Sequence, residues 1–382
     1  MSVRTNCLRK LVAIGSLVCG SAAAGSWTIE IADSTVAGGF SSLRIDSHNN
    51  AHVSYVDQVN HLLRYAFWDH VSDRWFADTL DTSGGFCSLV LDSKDHPHIS
   101  YLDYGGKLTY AHWNGASWEK IPIRINAKML DYFNSIGLDK DENPRISYYE
   151  YWGTGEDYRL ALREAAYNGT YWQVRTIDSA LGSGKFNAMA MDSKGFPHVA
   201  YANVRDENAG MRYARWNGTA WEVTVLEGRA EPHGTFSENI VVDKHDEPHI
   251  AYVDVKLKVI KYATKHDGKW TLQPVDRLVE FGYPDRNGIA LDKDNKPYIS
   301  YYDAGQGLLK VAHQKDGYWV YEVVDRNFCG YTSSLQIVGD MMYLTYRDET
   351  RQALKFARRQ LDETTAPAAA DLKVQEKLAL RK

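Results

Sequence analysis

Cysteine is scarce, with four in 382 residues. Cys7 and Cys19 stand in a leader-like start, so Cys87 and Cys329 alone would remain in a mature chain, and a disulfide-built scaffold is excluded. Cys87 opens the second unit of the repeat described below and Cys329 precedes the seventh, with one unit between them. A disulfide needs Cα atoms about 4.4–6.8 Å apart, so two free thiols are expected. Long apolar runs are also missing. The run Leu11-Val12-Ala13-Ile14-Gly15-Ser16-Leu17-Val18 is too short to span a bilayer. It follows Arg4, Arg9 and Lys10 and precedes Ala22-Ala23-Ala24, which is the arrangement of an export signal over residues 1–25. A secreted or periplasmic protein is expected, without a transmembrane segment. There is no excess of positive charge: the net charge of −5 becomes −8 when the three basic leader residues leave, which argues against nucleic acid and anionic membrane as partners. No nucleophile elbow, His-Glu-x-x-His, phosphate loop or metal-spaced cysteine set is present, and neither cofactor nor metal is expected.

What the chain has is a repeat. Residues 43–65 read LRIDSHNNAHVSYVDQVNHLLRY, and residues 89–110 read LVLDSKDHPHISYLDYGGKLTY. Aligning all copies gives the columns Tyr55, Tyr101, Tyr148, Tyr201, Tyr252, Tyr301, Tyr346 and Ala66, Ala111, Ala165, Ala214, Ala263, Ala312, Ala357. Seven units of roughly fifty residues result. Each divides into four short strands. An apolar first strand ends at a turn opened by Asp46, Asp92, Asp139, Asp192, Asp243 or Asp292, with a residue suited to a left-handed backbone three positions on. The second strand alternates, as in His98-Ile99-Ser100-Tyr101, and the third carries the alanines. Hairpins at Asn114-Gly115, Asn168-Gly169, Asn217-Gly218, Asp267-Gly268 and Asp316-Gly317 lead to a fourth strand that opens with tryptophan. Four antiparallel strands per unit make an all-β, seven-bladed β-propeller over residues 26–361. The seventh unit lacks a tryptophan strand, whereas Trp27 begins a lone fourth strand after the leader. The N-terminal strand is therefore expected to complete the last blade and hide its edge. Residues 362–382, Ala-rich and then charged, read as a flexible tail.

With Pro97-His98-Ile99-Ser100-Tyr101 and the later Trp118, the chain resembles secreted propellers that carry degenerate sialidase-type (BNR-like) repeats. The resemblance implies an architecture. Sialidases carry Ser-x-Asp-x-Gly-x-Thr-Trp boxes, of which Asp192-Ser193-Lys194-Gly195-Phe196-Pro197 is a faint match, and no arginine triad with a tyrosine nucleophile is assignable. Lectins and polysaccharide lyases share the seven-bladed plan, so the fold does not choose among these uses.

Loop length separates the two faces of the ring. The face of the Asp turns and hairpins is short and uniform. The opposite, long-loop face carries irregular excursions, where function usually lies. At its channel mouth the first polar position of the inner strands reads Ser41, Cys87, Asn134, Asn187, Glu238, Asn287 and Ser333. These groups either satisfy buried backbone and water or ring a site for a hydroxyl-rich ligand. Of this ring, Asn134, Asn187, Glu238 and Asn287, joined by Glu150, Trp152, His233 and Arg286 from neighbouring loops, form the candidate ligand site. His233 is the plausible general base should the site be catalytic. The acidic column Asp57, Asp103, Glu150, Asp254, Asp303, Asp348, with Asn203 in the fourth unit, is expected to cap its own loops. His52, His98, His198 and His249 come from separate blades and are expected to be structural. The resulting functional expectation is a secreted protein binding a glycan or peptide on the long-loop face. A carbohydrate-active enzyme (lyase or glycosidase) at the same mouth and a protein–protein scaffold are the alternatives.

Overall fold

The computed structural model describes residues 26–35, 38–103, 105–123, 129–152, 159–205, 209–228, 235–280 and 287–361. For 12–14, 129–132, 152, 159 and 235–238 it describes the backbone alone. Seven antiparallel sheets, each built on four strands, stand side by side as a seven-bladed β-propeller. Their inner strands are Gly39–Ile45, Cys87–Leu91, Met129–Leu138, Ser183–Met191, Thr235–Val242, Gly288–Leu291 and Cys329–Val338. Each inner strand touches its two neighbours, and the last touches the first. In blade 7 the order runs from Cys329–Val338 through Met341–Asp348 and Ala353–Gln360 to Thr28–Asp33, with Ile29 opposite Ala357 and Glu30 opposite Phe356. Trp27 packs on the core that holds Tyr346. The backbone of Val12–Ile14, inside the expected leader, lies as a fifth strand outside Arg74–Asp81 of blade 1. Among the described residues no helix is long and apolar enough to cross a membrane.

Local chemistry explains the uniform turns. Asp46 Oδ1 accepts from the backbone N–H of His48 and Asn50, both at 2.8 Å, and the other five turn aspartates repeat this bond two and four residues on. The residue three positions after each aspartate is left-handed, from Glu142 at φ 61° to Gly195 at φ 74°. The hairpins divide into two kinds. At Asp267-Gly268 and Asp316-Gly317 both residues have positive φ, a type I′ turn. At Asn114, Asn168 and Asn217 only the following glycine does, and the asparagine Oδ1 caps the N–H groups two and three residues on.

The apolar cores lie between blades. One cluster joins Leu43, Val53 and Tyr55 of blade 1 to Tyr343, Leu354 and Phe356 of blade 7, and others join blades 1 with 2, 2 with 3, 3 with 4, 4 with 5, 5 with 6 and 6 with 7. The tyrosine column is buried in every blade. In six of the seven its hydroxyl donates to an acid at the end of the preceding blade's outer strand: Tyr55 to Asp33, Tyr101 to Asp81, Tyr201 to Asp178, Tyr252 to Glu227, Tyr301 to Asp276 and Tyr346 to Asp325, at 2.6–2.9 Å. A cation pairs with each acid. Five of these cations stand directly across the ladder from the tyrosine, namely Arg64, Arg212, Lys261, Lys310 and Lys355. In blade 2 the cross-strand residue is Thr109, and Lys120 serves instead. Burial, reinforced by the neighbouring carboxylate, holds Tyr55, Tyr201, Tyr301 and Tyr346 well above the ordinary phenol range, so each remains a donor.

Two outcomes follow. Deleting residues 26–33 strips the outer strand from blade 7 and removes Asp33 from the blade 1 junction, so the variant should unfold well below the parent and self-associate, as read by thermal unfolding with light scattering. A variant that melts like the parent as a monomer would contradict this arrangement. Tyr301→Phe leaves buried Asp276 short of a donor and should cost about 1–3 kcal/mol in denaturant unfolding. Tyr148→Phe, where no carboxylate accepts from the hydroxyl, should cost less than a third of that.

Candidate functional site

The polar ring of the long-loop face is assembled from inner-strand residues and is mostly spent on holding blades together. Asn134 donates to the Phe86 carbonyl at 2.8 Å and accepts from Ser100 Oγ at 2.5 Å. Asn187 donates to the carbonyls of Phe133 and Gly184 and accepts from Ser147 Oγ at 2.7 Å. Ser41 and Cys87 donate to the carbonyls of Thr332 and Phe40, and Ser300 bonds to Ser333. Ser41, Asn134 and Asn187 follow one rule, each bonding the carbonyl before it and receiving a hydroxyl from the preceding blade's second strand, whereas in blade 1 the corresponding Ser54 Oγ has no partner.

Asn287 breaks this rule. It is 2% exposed, yet neither its Nδ2 nor its Oδ1 has a partner, although its backbone carbonyl accepts from Asn239 Nδ2 at 3.1 Å. The residue that would supply the hydroxyl is Ala251, at the position held by Ser100, Ser147 and Ser300 elsewhere. Glu150 lies in blade 3, where it accepts from Arg163 Nε at 2.7 Å. For Glu238 and Trp152 only the strand backbone is described, whereas His233 and Arg286 lie outside the described residues. The structure thus brings Asn134 and Asn187 onto adjacent blades with both amides fully bonded, and it leaves the Asn287 amide open. A feature missed in the sequence precedes the polar column, where Phe40, Phe86, Phe133 and Phe186 form an aromatic arc over four blades. Their ring centroids are 3.7, 5.2 and 4.3 Å apart in turn. The column itself was its signal, since the other three blades carry Ser237, Arg286 and Thr332 there.

On the turn face the channel opens as a cavity of about 440 Å³. Its wall is the ends of inner strands, including Ile45, Leu91, Leu138, Met191 and Val242, with Arg44 and Gln336 as polar groups. An aliphatic wall without aromatic faces offers sugars little, which separates the two mouths chemically.

Part of the acidic column caps its own loops, whereas Glu150 pairs with Arg163 and Asp303 accepts from the N–H of Val279 in the preceding blade and pairs with Lys310. Asp57 Oδ1 accepts from the N–H of Val59 and Asn60, Asp254 from Leu257 and Asp348 from Arg351. Among the described residues two groups bring acids and a histidine close together. In Asp46, His48 and Asp95 the carboxylates already accept backbone and Ser47 bonds, and Glu247, His266 and Asp267 are largely exposed. Neither has the enclosed, vacant donor set of a structural metal site. Cys87 and Cys329 are both free and buried, and burial together with Asp325 pushes the Cys329 thiol up to about 12, so it is an inert donor.

The histidine column is tied to the third strand within blades. His52, His98, His198 and His249 each meet a third-strand tyrosine hydroxyl through Nδ1 at 2.5–2.7 Å, while Nε2 faces the turn aspartate at 3.3–3.6 Å. Where blade 3 has Arg145 in this column, the tyrosine is replaced by Glu164, and the two pair through Arg145 Nε at 2.6 Å. Burial lowers His98 and His198 to about 4, and His313 likewise, with Arg215 and Arg359 adding to the shift at the latter two.

No protein-family model matches the sequence, and no curated protein does. Among solved structures the fold is similar to an Aleuria aurantia lectin in complex with Fucalpha1-6GlcNAc (14% identity, TM-score 0.50, 75% of this chain and 96% of that one). It is also similar to a Hadza microbial sialidase (13%, 0.51, 73% and 66%) and to a polysaccharide lyase, an ulvan lyase bound to -[GlcA(1-4)Rha3S]- (12%, 0.52, 90% and 95%). At these identities the likeness is one of fold.

The buried His98, His198 and His313 make stability acid-sensitive. Their folded pKa lies below the unfolded value of about 6.5, so the unfolded chain takes up protons first as pH falls. The contribution is complete above about pH 6.5, is lost progressively toward pH 4 and levels off below it. Urea midpoints should fall across that window, and the double variant His98→Gln, His198→Gln should show a flatter slope. A parent midpoint equal at pH 7 and pH 5 would refute the assignment.

Proposed function

We propose that this chain is an exported carbohydrate-binding propeller that holds a glycan at the long-loop mouth of its channel. The observation that carries the reading is Asn287. A buried side-chain amide with donor and acceptor both open is costly to keep, by roughly 1–3 kcal/mol, unless a ligand completes it. A sugar hydroxyl, donor and acceptor at once, satisfies an amide of this kind. The aromatic arc of Phe40, Phe86, Phe133 and Phe186 in neighbouring blades gives the mouth one apolar side, which suits the C–H faces of a pyranose. The described acids and cations of this face are already engaged in caps and ion pairs, which favours binding over acid–base chemistry among those residues. The fold neighbours support the substrate class, since the lectin, the sialidase and the lyase all handle carbohydrate by their names. The leader-like residues 1–25 support export.

The test is a glycan array followed by calorimetry on the retained ligands, with product formation followed in the same samples. Asn287→Ala should weaken binding ~10-fold or more, equivalent to about 1.4 kcal/mol, while leaving the melting temperature level or higher. An array with no retained glycan, or an Asn287→Ala protein that binds like the parent, would overturn the assignment. Turnover of a retained glycan would instead make the same mouth an active site.

A further inference from the structure

The cavity on the turn face differs in chemistry from the glycan mouth. Five of its wall residues, Ile45, Leu91, Leu138, Met191 and Val242, directly precede the aspartates that open the turns, so those turns rim the cavity. The rim comprises residues 46–50, 92–96, 139–143, 192–196, 243–247, 292–296 and 339–340. It carries thirteen acids and six lysines, a formal charge of −7 with histidine neutral. Behind it the side chains of the wall are mostly aliphatic, with Arg44 as the one cation. At about 440 Å³ the space is about three times the ~150 Å³ that accommodates a benzene ring, enough for two leucine side chains. Each inner strand is also the edge of its sheet, so backbone groups face the channel and can bond an extended segment. The wall and rim lie wholly within the described residues. A partner suited to them carries aliphatic side chains between basic ones.

The chain leaves blade 7 on this same face. Leu361 N donates to the carbonyl of Asp340, in the turn between the first and second strands of that blade, at 2.6 Å. The strand before it, Ala353–Gln360, is two strands out from the inner one, hence about 10 Å from the channel wall. Residues 362–382 lie outside the described residues, and their sequence is DETTAPAAADLKVQEKLALRK. The first ten span about 33 Å when extended, well beyond the distance required. The segment 372–382 carries Leu372, Val374, Leu378 and Leu380 among Lys373, Lys377, Arg381 and Lys382, with Glu376 as its one acid, a side-chain charge of +3. We propose that this segment docks in the turn-face cavity of its own chain, with Leu378 and Leu380 against the aliphatic wall and its basic residues on the acidic rim. A ten-residue tether gives a millimolar effective concentration, so a contact with a dissociation constant of about 0.1 mM keeps the segment seated about nine-tenths of the time. Docking closes the channel on the turn face and leaves the glycan mouth free. The flexible stretch expected at 362–382 then narrows to the tether.

The experiment is disulfide trapping in the full chain. Gln336 lines the cavity, whereas Ser72 is exposed in the third-to-fourth-strand hairpin of blade 1, on the same face but outside it. Gln336→Cys with Leu380→Cys should give a linked peptide pair, read by mass spectrometry of the monomer. It should form ~10-fold or more faster than the pair from Ser72→Cys with Leu380→Cys, which samples the reach of the tether alone. Adding Leu378→Asp should erase that difference. Equal trapping at both sites, no trapping at either, or linkage only between two chains would overturn the docking. Should a variant melt unlike the parent in reductant, hydrogen exchange of the unmodified full chain decides instead. Amides of 372–382 that exchange ~3-fold or more slower than in a synthetic peptide of the same sequence support the docking, and equal rates overturn it.

Discussion

A propeller blade touches only its two neighbours, so seven junctions must agree before the ring can form. The bond that sets six of them is the tyrosine hydroxyl of one blade donating to a carboxylate at the outer-strand end of the blade before it. At Tyr301 the group is complete: the hydroxyl meets Asp276 at 2.8 Å, and Lys310, 1% exposed, lies 3.3 Å from Asp276 and 3.0 Å from Asp303. Buried ion pairs add little net stability, because desolvation offsets their attraction, but leaving one member alone is expensive. The arrangement therefore acts mainly on specificity. A blade docked one residue out of register would bury a carboxylate and an ammonium without partners, and the apolar columns beside them could not compensate.

Inside this uniform outer layer the inner strands are joined less evenly. Ser42, Ser88, Ser135 and Ser334 each accept a backbone N–H of the next blade's inner strand, at 3.0–3.3 Å. The equivalent positions in blades 4, 5 and 6 are Ala188, Asn239 and Gly288, and none can repeat that bond with a hydroxyl. The second-strand hydroxyls lapse in the same sector, at Ala200 and Ala251. Glycine at 288 has its own reason, since a Cβ there would come within 2.5 Å of Ser300 Oγ and 2.8 Å of Leu335 Cβ. Three blades thus give up inner bonds that the others keep, and Asn287, with its open amide, lies among them.

The scaffold was legible because its columns repeat within one unit. Tyrosine, alanine and tryptophan columns gave blade number and strand order, and the Asp turns and acidic caps could be assigned from spacing alone. The junction bond escaped notice for a geometric reason. Its acid lies some twenty residues upstream, in the previous unit, so an alignment of units places donor and acceptor in unrelated columns. Asn134, Asn187 and Asn287 looked alike for the same reason. What distinguishes them is Ser100, Ser147 or Ala251 in the blade before, a residue that reveals nothing until blades are set side by side. The hairpins show a finer limit: Asn-Gly and Asp-Gly read as one signal, but asparagine caps a longer turn and aspartate enters the left-handed region itself.

In a sevenfold ring a regular feature is sevenfold by default, and a single ligand of ordinary shape cannot use seven copies of it at one central mouth. Recognition has to fall on departures from the repeat. Among the described residues, departures that leave buried hydrogen-bonding atoms open include the Asn287 amide in blade 6 and Ser54 Oγ in blade 1. They arise at opposite ends of one contact: Asn287 lacks the second-strand hydroxyl that Ala251 would have to supply, whereas Ser54 offers that hydroxyl to a position where Cys87 stands in place of an amide.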